Sequence, residues 1–248
     1  MSGHSKWSTI KHKKGAKDAR RSKMFSKIIK EITVAVKESG YDPDANPRLR
    51  LAIANAKGAS MPKDNIERAI NKGKDKDASA FEEVTYEGYL SHGIAVYLEC
   101  TTDNLQRTVS SIRSIFNKYD GSLSKNGSLN FLFDRKGIFI IPASVINDKE
   151  EFELEMIDAG AEDFEEDGDF ITVATSMEDF GNMQKKLEEM EIEPESQKLE
   201  RIPRERISLN KESAQKILKV IDIFEDDDDV QNVYHNLEIT DEMMEEME

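Results

Sequence analysis

The apolar residues of this 248-residue chain recur with two different periods, and the change from one to the other divides it. From Ser22 onward Phe25, Ile28, Ile29, Ile32 and Val36 fall three and four apart, the spacing of one helical face, with Lys27, Lys30 and Lys37 elsewhere. Gly40 suits the left-handed end of that helix. Asp44-Ala45-Asn46-Pro47 is a second start signal: Asn46 can cap free amides and Pro47 is preset for the first turn, so a helix is predicted to about Ala59. Pro62 opens a third helix in MPKDNIERAINKG, with Ile66, Ala69 and Ile70 on one face and Gly73 as its stop. Three short helices make a small bundle over residues 23–78, and GKDKDAS has the composition of a linker.

Beyond residue 80 the period shifts toward two. Val84 to Tyr89 and Ile94 to Cys100 are predicted strands, Asp103 to Tyr119 a helix with Leu105, Val109, Ile112, Ile115 and Phe116 inward, and Ser128 to Asp134 and Gly137 to Pro142 further strands. From Gly137 to Pro203 the pattern is strand GIFIIP, a helix near Glu150 to Gly160, strand DFITVATS, a helix over Glu178 to Met190, and a strand over Glu195 to Ile202. That order predicts a small split sheet with helices on one face. A last helix, Lys211 to Phe224, and a strand, Val230 to Leu237, have no partner in that unit. They are expected to complete the domain begun at residue 80, giving a discontinuous middle domain of 79–136 plus 205–248 around an insert of 137–204. The fold class expected is α+β and multi-domain.

Charge changes what this architecture is expected to do. The formal charge of −15 argues by itself against a polyanionic partner. Counted by segment, however, residues 1–76 hold 19 Lys and Arg against 8 Asp and Glu, a net +11, whereas residues 77–248 hold 16 against 42, a net −26. The binding question therefore concerns the N-terminal part. Residues 1–22 lack an apolar repeat and read as a basic, flexible arm. There Lys6, Lys11, Lys13, Lys14, Lys17, Arg20 and Arg21 stand with Trp7 and His12, and Lys23 follows. Lysine offers phosphate a point charge, arginine a two-pronged fork, and indole a stacking face for an unpaired base. Nucleic acid is the partner these residues predict; a solvated basic tail, or an organelle transit sequence, is the plainer alternative. Lys63, Arg68 and Lys72 continue the positive charge onto the third helix, where pairs such as Asp64 with Arg68 offer internal neutralisation instead.

Other chemistry finds no carrier. His4, His12, His92, His235 and the single Cys100 have no metal-ligand spacing, and no phosphate-binding loop, dinucleotide turn or nucleophile elbow occurs. No catalytic residue, metal, cofactor or small-molecule substrate is expected. One cysteine excludes an internal disulfide and fits a reducing compartment, and no run of about 18 apolar residues occurs; a cytoplasmic protein without a membrane partner is expected. Consecutive carboxylates at Glu225-Asp226-Asp227-Asp228-Asp229 splay rather than converge and are expected to form a solvated acidic turn.

Several segments together resemble the YebC/PmpR family: GHSKW at Gly3 to Trp7, IKHKK at Ile10 to Lys14, DPDANPRLR at Asp42 to Arg50, MPKDNIERAI at Met61 to Ile70, YEGY at Tyr86 to Tyr89, TDN at Thr102 to Asn104, GAEDFEEDGD at Gly160 to Asp169, and EDDDDVQNVYHNLEI at Glu225 to Ile239. The resemblance covers essentially the whole chain. It departs after YEGY, where Leu90-Ser91-His92 replaces a Gly- or Pro-rich turn. It implies an N-terminal helical domain, a middle α/β domain completed by the C-terminal helix and strand, and an inserted ferredoxin-like domain. Functionally it implies either a DNA-binding transcriptional regulator or a ribosome-associated translation factor acting on difficult nascent sequences such as proline runs, and in neither case an enzyme. A protein-interaction scaffold built on the acidic body is the third reading.

Overall fold

The computed structural model describes residues 17–75 and 81–240, without the side chains of 17–20 and 167. In chain order the helices α1 Lys17–Ser39, α2 Pro47–Gly58 and α3 Lys63–Lys74 come first. Strands β1 Glu82–Tyr89 and β2 Ala95–Thr102, helix α4 Leu105–Lys118, the short β3 Ser122–Leu123 and strand β4 Phe133–Pro142 follow. The remainder is α5 Lys149–Asp158, β5 Ala161–Asp167, β6 Phe170–Ser176, α6 Phe180–Glu189, β7 Ser196–Pro203, α7 Lys211–Asp226 and β8 Val230–His235. The fold is α+β, with two compact units: one takes residues 24–78 and 135–201, the other α1 up to Lys23, residues 79–134 and residues 202–240.

In the first unit the three helices close on Ile28, Ile32, Leu49, Ala52, Ala56, Met61, Ile66 and Ala69. Helix α1 begins at Lys17, five residues before the apolar repeat, because Lys-Asp-Ala-Arg-Arg consists mostly of good helix formers that extend a helix nucleated by the stripe. It ends at Gly40 (φ +89°), whose N–H donates to the Val36 carbonyl at 2.9 Å. Asn46 does more than cap. Its Oδ1 accepts the Leu49 N–H at 3.0 Å while its amide donates to the Ala35 and Gly40 carbonyls, both at 2.7 Å. One buried side chain thus starts α2 and satisfies carbonyls at the end of α1. Gly73 is not the expected stop. It lies inside α3, buried, where a Cβ would sit 2.7 Å from Val36 Cβ, so glycine is there for close helix approach.

The rest of that unit is a four-stranded sheet in the order β5-β6-β4-β7, with Phe139, Ile141, Val173, Phe152, Met156, Phe180, Met183 and Leu187 in its core. The sequence pattern omitted β5. Its acidic residues Glu162 and Asp163 face solvent on an edge strand, where charge discourages further pairing, and so no alternation marks it. With β5 the order is βαββαβ, the ferredoxin-like arrangement. On the opposite edge, Asn55 of α2 donates to the Gln197 carbonyl at 2.9 Å and accepts the Gln197 N–H at 3.0 Å, occupying one rung of the β7 ladder. A Cβ on Gly58 would overlap the Glu195 carbonyl, so the helix end lies directly on the chain entering β7.

The second unit has the sheet order β3-β1-β2-β8, with β2 antiparallel to both neighbours; the C-terminal helix and strand do return to it. On one face Val96, Leu98 and Cys100 pack with Ile112 and Phe116 of α4 and Ile217, Leu218, Ile221 and Phe224 of α7, the two phenyl centroids 4.9 Å apart. On the other, Ala95, Tyr97 and Tyr234 meet Leu129 and Phe133. The inward stripe of α4 is rotated from expectation: Leu105 is 40% exposed and Thr108 is buried. Ser128 to Leu132 is not a strand but a turn ending in a short 3-10 segment, and the strand starts at Phe133 and runs unbroken to Pro142. After YEGY, the substituted turn closes with Leu90 N–H on the Ile94 carbonyl at 2.8 Å, His92 and Gly93 both having positive φ.

Candidate nucleic-acid interface

Lys6, Trp7, Lys11, His12, Lys13 and Lys14 lie outside the described residues. Lys17 and Arg20 fall in the first turns of α1, and Arg21 is exposed beside them. The arm boundary expected at 22 therefore moves back, since its last cations ride on a helix at fixed spacing. Lys23 is engaged: its Nζ lies 2.5 Å from Asp226 Oδ1 and 2.9 Å from the Asp226 carbonyl.

On α3 the exposed face carries both signs. Lys63 sits 3.6 Å from Glu67, both well exposed. Arg68 does not pair with the Asp64 carboxylate as expected. Its Nε donates to the Asp64 carbonyl at 3.1 Å and its Nη2 to Asn65 Oδ1 at 2.5 Å, leaving the positive charge uncompensated by those two acceptors. Lys72 is exposed one turn on, and Lys74 Nζ stands 4.2 Å from the centre of the exposed Tyr41 ring. The structure thus groups Arg68 and Lys72 on one helix face, and gives Lys63 and Lys23 to acidic partners.

The acidic run at 225–229 is not the solvated turn its composition predicts. Asp229 is 5% exposed, and its Oδ2 accepts Thr102 Oγ1 at 3.1 Å, Thr108 Oγ1 at 2.9 Å and Arg107 Nη2 at 2.7 Å. Its carbonyl accepts the Thr101 N–H at 2.8 Å. Asp227 accepts the Asp229 N–H at 3.0 Å and the Ser111 hydroxyl at 2.6 Å. These bonds join the β2–α4 junction to the α7–β8 junction. The Arg107 guanidinium is held charged beyond its ordinary range, first by its hydrogen bond to Asp229 and then by Asp103. Burial pushes the Tyr86 phenol up, with smaller contributions from Cys100 and Asp229. The segments TDN and EDDDDV are therefore two halves of one structural clasp.

Glu87 stands in the YEGY segment, to which the sequence assigned no role. Its carboxylate is buried and takes the amides of Gly127 and Leu129, each at 2.6 Å, and the Ser128 hydroxyl at 3.3 Å. No local signal reveals this, because the partners lie some forty residues further along. Among the described residues no helix is long and apolar enough to cross a membrane, and no group of three His, Cys, Asp or Glu could hold a metal ion.

Comparison with known proteins places this arrangement. Residues 5–76 match the TACO1/YebC protein N-terminal domain and residues 81–237 the TACO1/YebC second and third domain. A protein of Amoebophilus asiaticus named "Probable transcriptional regulatory protein" is 55% identical over 239 residues, covering 96% of this chain and 98% of its own. One of the same name from Geotalea uraniireducens is 51% identical over the full length of both. The crystal structure of a conserved hypothetical protein from Aquifex aeolicus has a TM-score of 0.82 at 41% identity, covering 90% of this chain and 93% of that one. With both domain descriptions matched and relatives aligned over nearly its whole length, the chain belongs to the TACO1/YebC family.

Proposed function

We propose that this protein is a non-enzymatic, nucleic-acid-binding regulator of gene expression that grips DNA through its N-terminal basic module. The observation that carries the reading is the segregation of charge: +11 before residue 77 and −26 after it. Net attraction to a phosphate backbone belongs to the first segment by that distribution, and the body as a whole is repelled from it. Arg21 is exposed on α1, and Arg68 and Lys72 are exposed on α3. The names carried by close relatives, probable transcriptional regulatory proteins, support the regulatory part. Fluorescence anisotropy of a labelled promoter duplex, titrated with protein at several salt concentrations, tests it. The expected result is a steep loss of affinity with salt, competition by specific promoter DNA stronger than by random DNA, and loss of binding when Lys11, Lys13 and Lys14 become Glu. Binding that ignores salt and these substitutions would remove the basis of the proposal.

One observation favours ribosomal RNA as the target. A helix that enters the major groove presents cations and amides to the duplex, whereas α3 exposes Asp64 and Glu67 among its cations. Single-stranded and shape-recognising RNA binders need no such helix. On that reading the protein co-sediments with ribosomes and the same three lysine substitutions release it.

A further inference from the structure

The acidic body contains one stretch that escapes its charge. Residues 121–133, between Asp120 and Asp134, include no carboxylate, although the 172 residues from 77 to 248 otherwise hold 42. This stretch is the loop that Glu87 secures. Besides the bonds to Gly127, Ser128 and Leu129, the Glu87 carbonyl accepts the Ser124 N–H at 2.7 Å. A fully buried carboxylate that accepts the amides of Gly127 and Leu129 and the hydroxyl between them fixes the backbone in one conformation.

What the loop displays is distinctive. Leu129 and Phe133 are buried against the sheet, but Phe131 between them is 64% exposed. The same loop carries Asn126 and Asn130, both exposed, and Lys125, which makes no ion pair among the described residues. Arg204 is brought alongside by its N–H, which donates to the Leu132 carbonyl at 2.9 Å. Its guanidinium is fixed by Asp134 at 2.7 and 3.0 Å, and the side chain stays 58% exposed. An aromatic face, amide groups and the Lys125 ammonium in an acid-free loop match the parts of a nucleotide. The ring offers stacking to a base, the amides complement base edges and Lys125 complements phosphate, whereas the charge of Arg204 is met by Asp134. A paired base inside a duplex has no free face to give.

We infer that the 124–132 loop is a second nucleic-acid contact, stacking one unpaired base of a single strand on Phe131. The inference rests on the nucleic-acid-binding reading above and extends it: the basic module supplies salt-dependent affinity, and the loop supplies a preference for unpaired bases. The partner class is single-stranded nucleic acid, because the ring recognises the base and not the sugar.

Anisotropy titrations of the full-length protein with a 12-nucleotide oligouridine RNA, its deoxy counterpart and a 12-base-pair duplex provide the test. Phe131→Ala and Phe131→Leu should each weaken single-strand binding about ten-fold, within the range for one base on one ring. Phe131→Trp should preserve it. Duplex affinity should not change, nor should the slope against salt, since the ring is uncharged. Full affinity in Phe131→Leu would mean that the surface needs only apolar contact, and equal losses on duplex and single strand would mean that it does not sense pairing; either overturns the inference. If Lys11→Glu, Lys13→Glu and Lys14→Glu together abolish binding while Phe131→Ala changes nothing, the functional reading stands and the loop contact falls. If the unsubstituted protein binds none of the three probes, both fall.

Discussion

Asp229 shows how a residue's neighbours, rather than its type, decide what it does. It is one of five successive acidic residues, yet only its carboxylate meets two threonine hydroxyls and a guanidinium in a buried setting. Removing the negative charge keeps an acceptor oxygen but weakens the bonds from the buried Thr102 and Thr108 hydroxyls, a cost of about 1 to 3 kcal/mol. Asp229→Asn is therefore expected to lower the urea midpoint substantially, whereas Asp228→Asn, on the exposed side, should shift stability by less than about 0.5 kcal/mol. Equal effects would show that the run acts by its summed charge. Glycine gives a second comparison at this scale. Replacing a helical glycine by alanine gains up to about 1 kcal/mol from propensity, less in a terminal turn, but overpacking costs about 1 to 3. At Gly73 the new methyl meets Val36 and the Thr33 carbonyl, so Gly73→Ala should destabilise. At Gly181 nothing lies within 4 Å, so Gly181→Ala should stabilise by about 0.5 kcal/mol. Thermal melts of the two variants, moving in opposite directions, check the pair. Neither the clasp nor the glycine contacts are visible in the sequence, since both depend on which distant segments meet.

At the scale of elements, what could be read and what could not divide by the range of the forces involved. Helices α1 and α2 were legible because their determinants are local: a stripe at spacing three and four, a left-handed glycine, an asparagine ahead of a proline. Strand β5 was not, because an exposed acidic edge has no inward pattern to betray it. A strand is predicted over Ser128 to Asp134 because Leu129, Phe131 and Phe133 alternate, but up to Leu132 the Glu87 carboxylate and local backbone bonds such as Ser128 N–H to the Lys125 carbonyl hold a turn. The N-terminal cations were legible as a charge pattern, but Lys23 and Lys63 proved to have acidic partners. The same distinction yields a prediction for Asn55, whose amide reproduces a strand's pairing on the free edge of β7. Asn55→Ala would leave the Gln197 N–H and carbonyl without these bonds, at about 1 to 3 kcal/mol. In hydrogen exchange the Gln197 amide should lose protection while core amides of β6 keep theirs. Unchanged protection at Gln197 would show that the rung is held by β7's other contacts.

At the scale of the whole molecule, the separation of charge would make opposite demands on the proposed nucleic-acid complex: phosphate attracts a basic segment and repels an acidic one. The two effects differ in range. Contacts of lysine with phosphate act at hydrogen-bond distance and release counterions, so each contributes about 0.9 to the slope of log affinity against log salt on duplex. Repulsion from the body is a sum of distant pairs. A pair of unit charges about 30 Å apart in water interacts by only about 0.14 kcal/mol, but several carboxylates facing a dozen phosphates accumulate to more than 1 kcal/mol before screening. The Debye length is about 30 Å at 0.01 M salt and about 8 Å at 0.15 M, so this sum survives in dilute salt and is nearly abolished at physiological ionic strength. Neutralising exposed acids of the acidic segment, for example Glu150→Gln, Glu178→Gln and Glu188→Gln together, should therefore tighten nucleic-acid binding several-fold at 0.01 M salt and leave it unchanged at 0.15 M. Lys11→Gln should instead weaken binding at both and reduce the slope by about 0.9. Anisotropy titrations across that salt range separate the two behaviours. A triple variant whose gain persists at 0.15 M would place those carboxylates at the nucleic-acid surface, and the acidic body would then have to be counted as part of the interface.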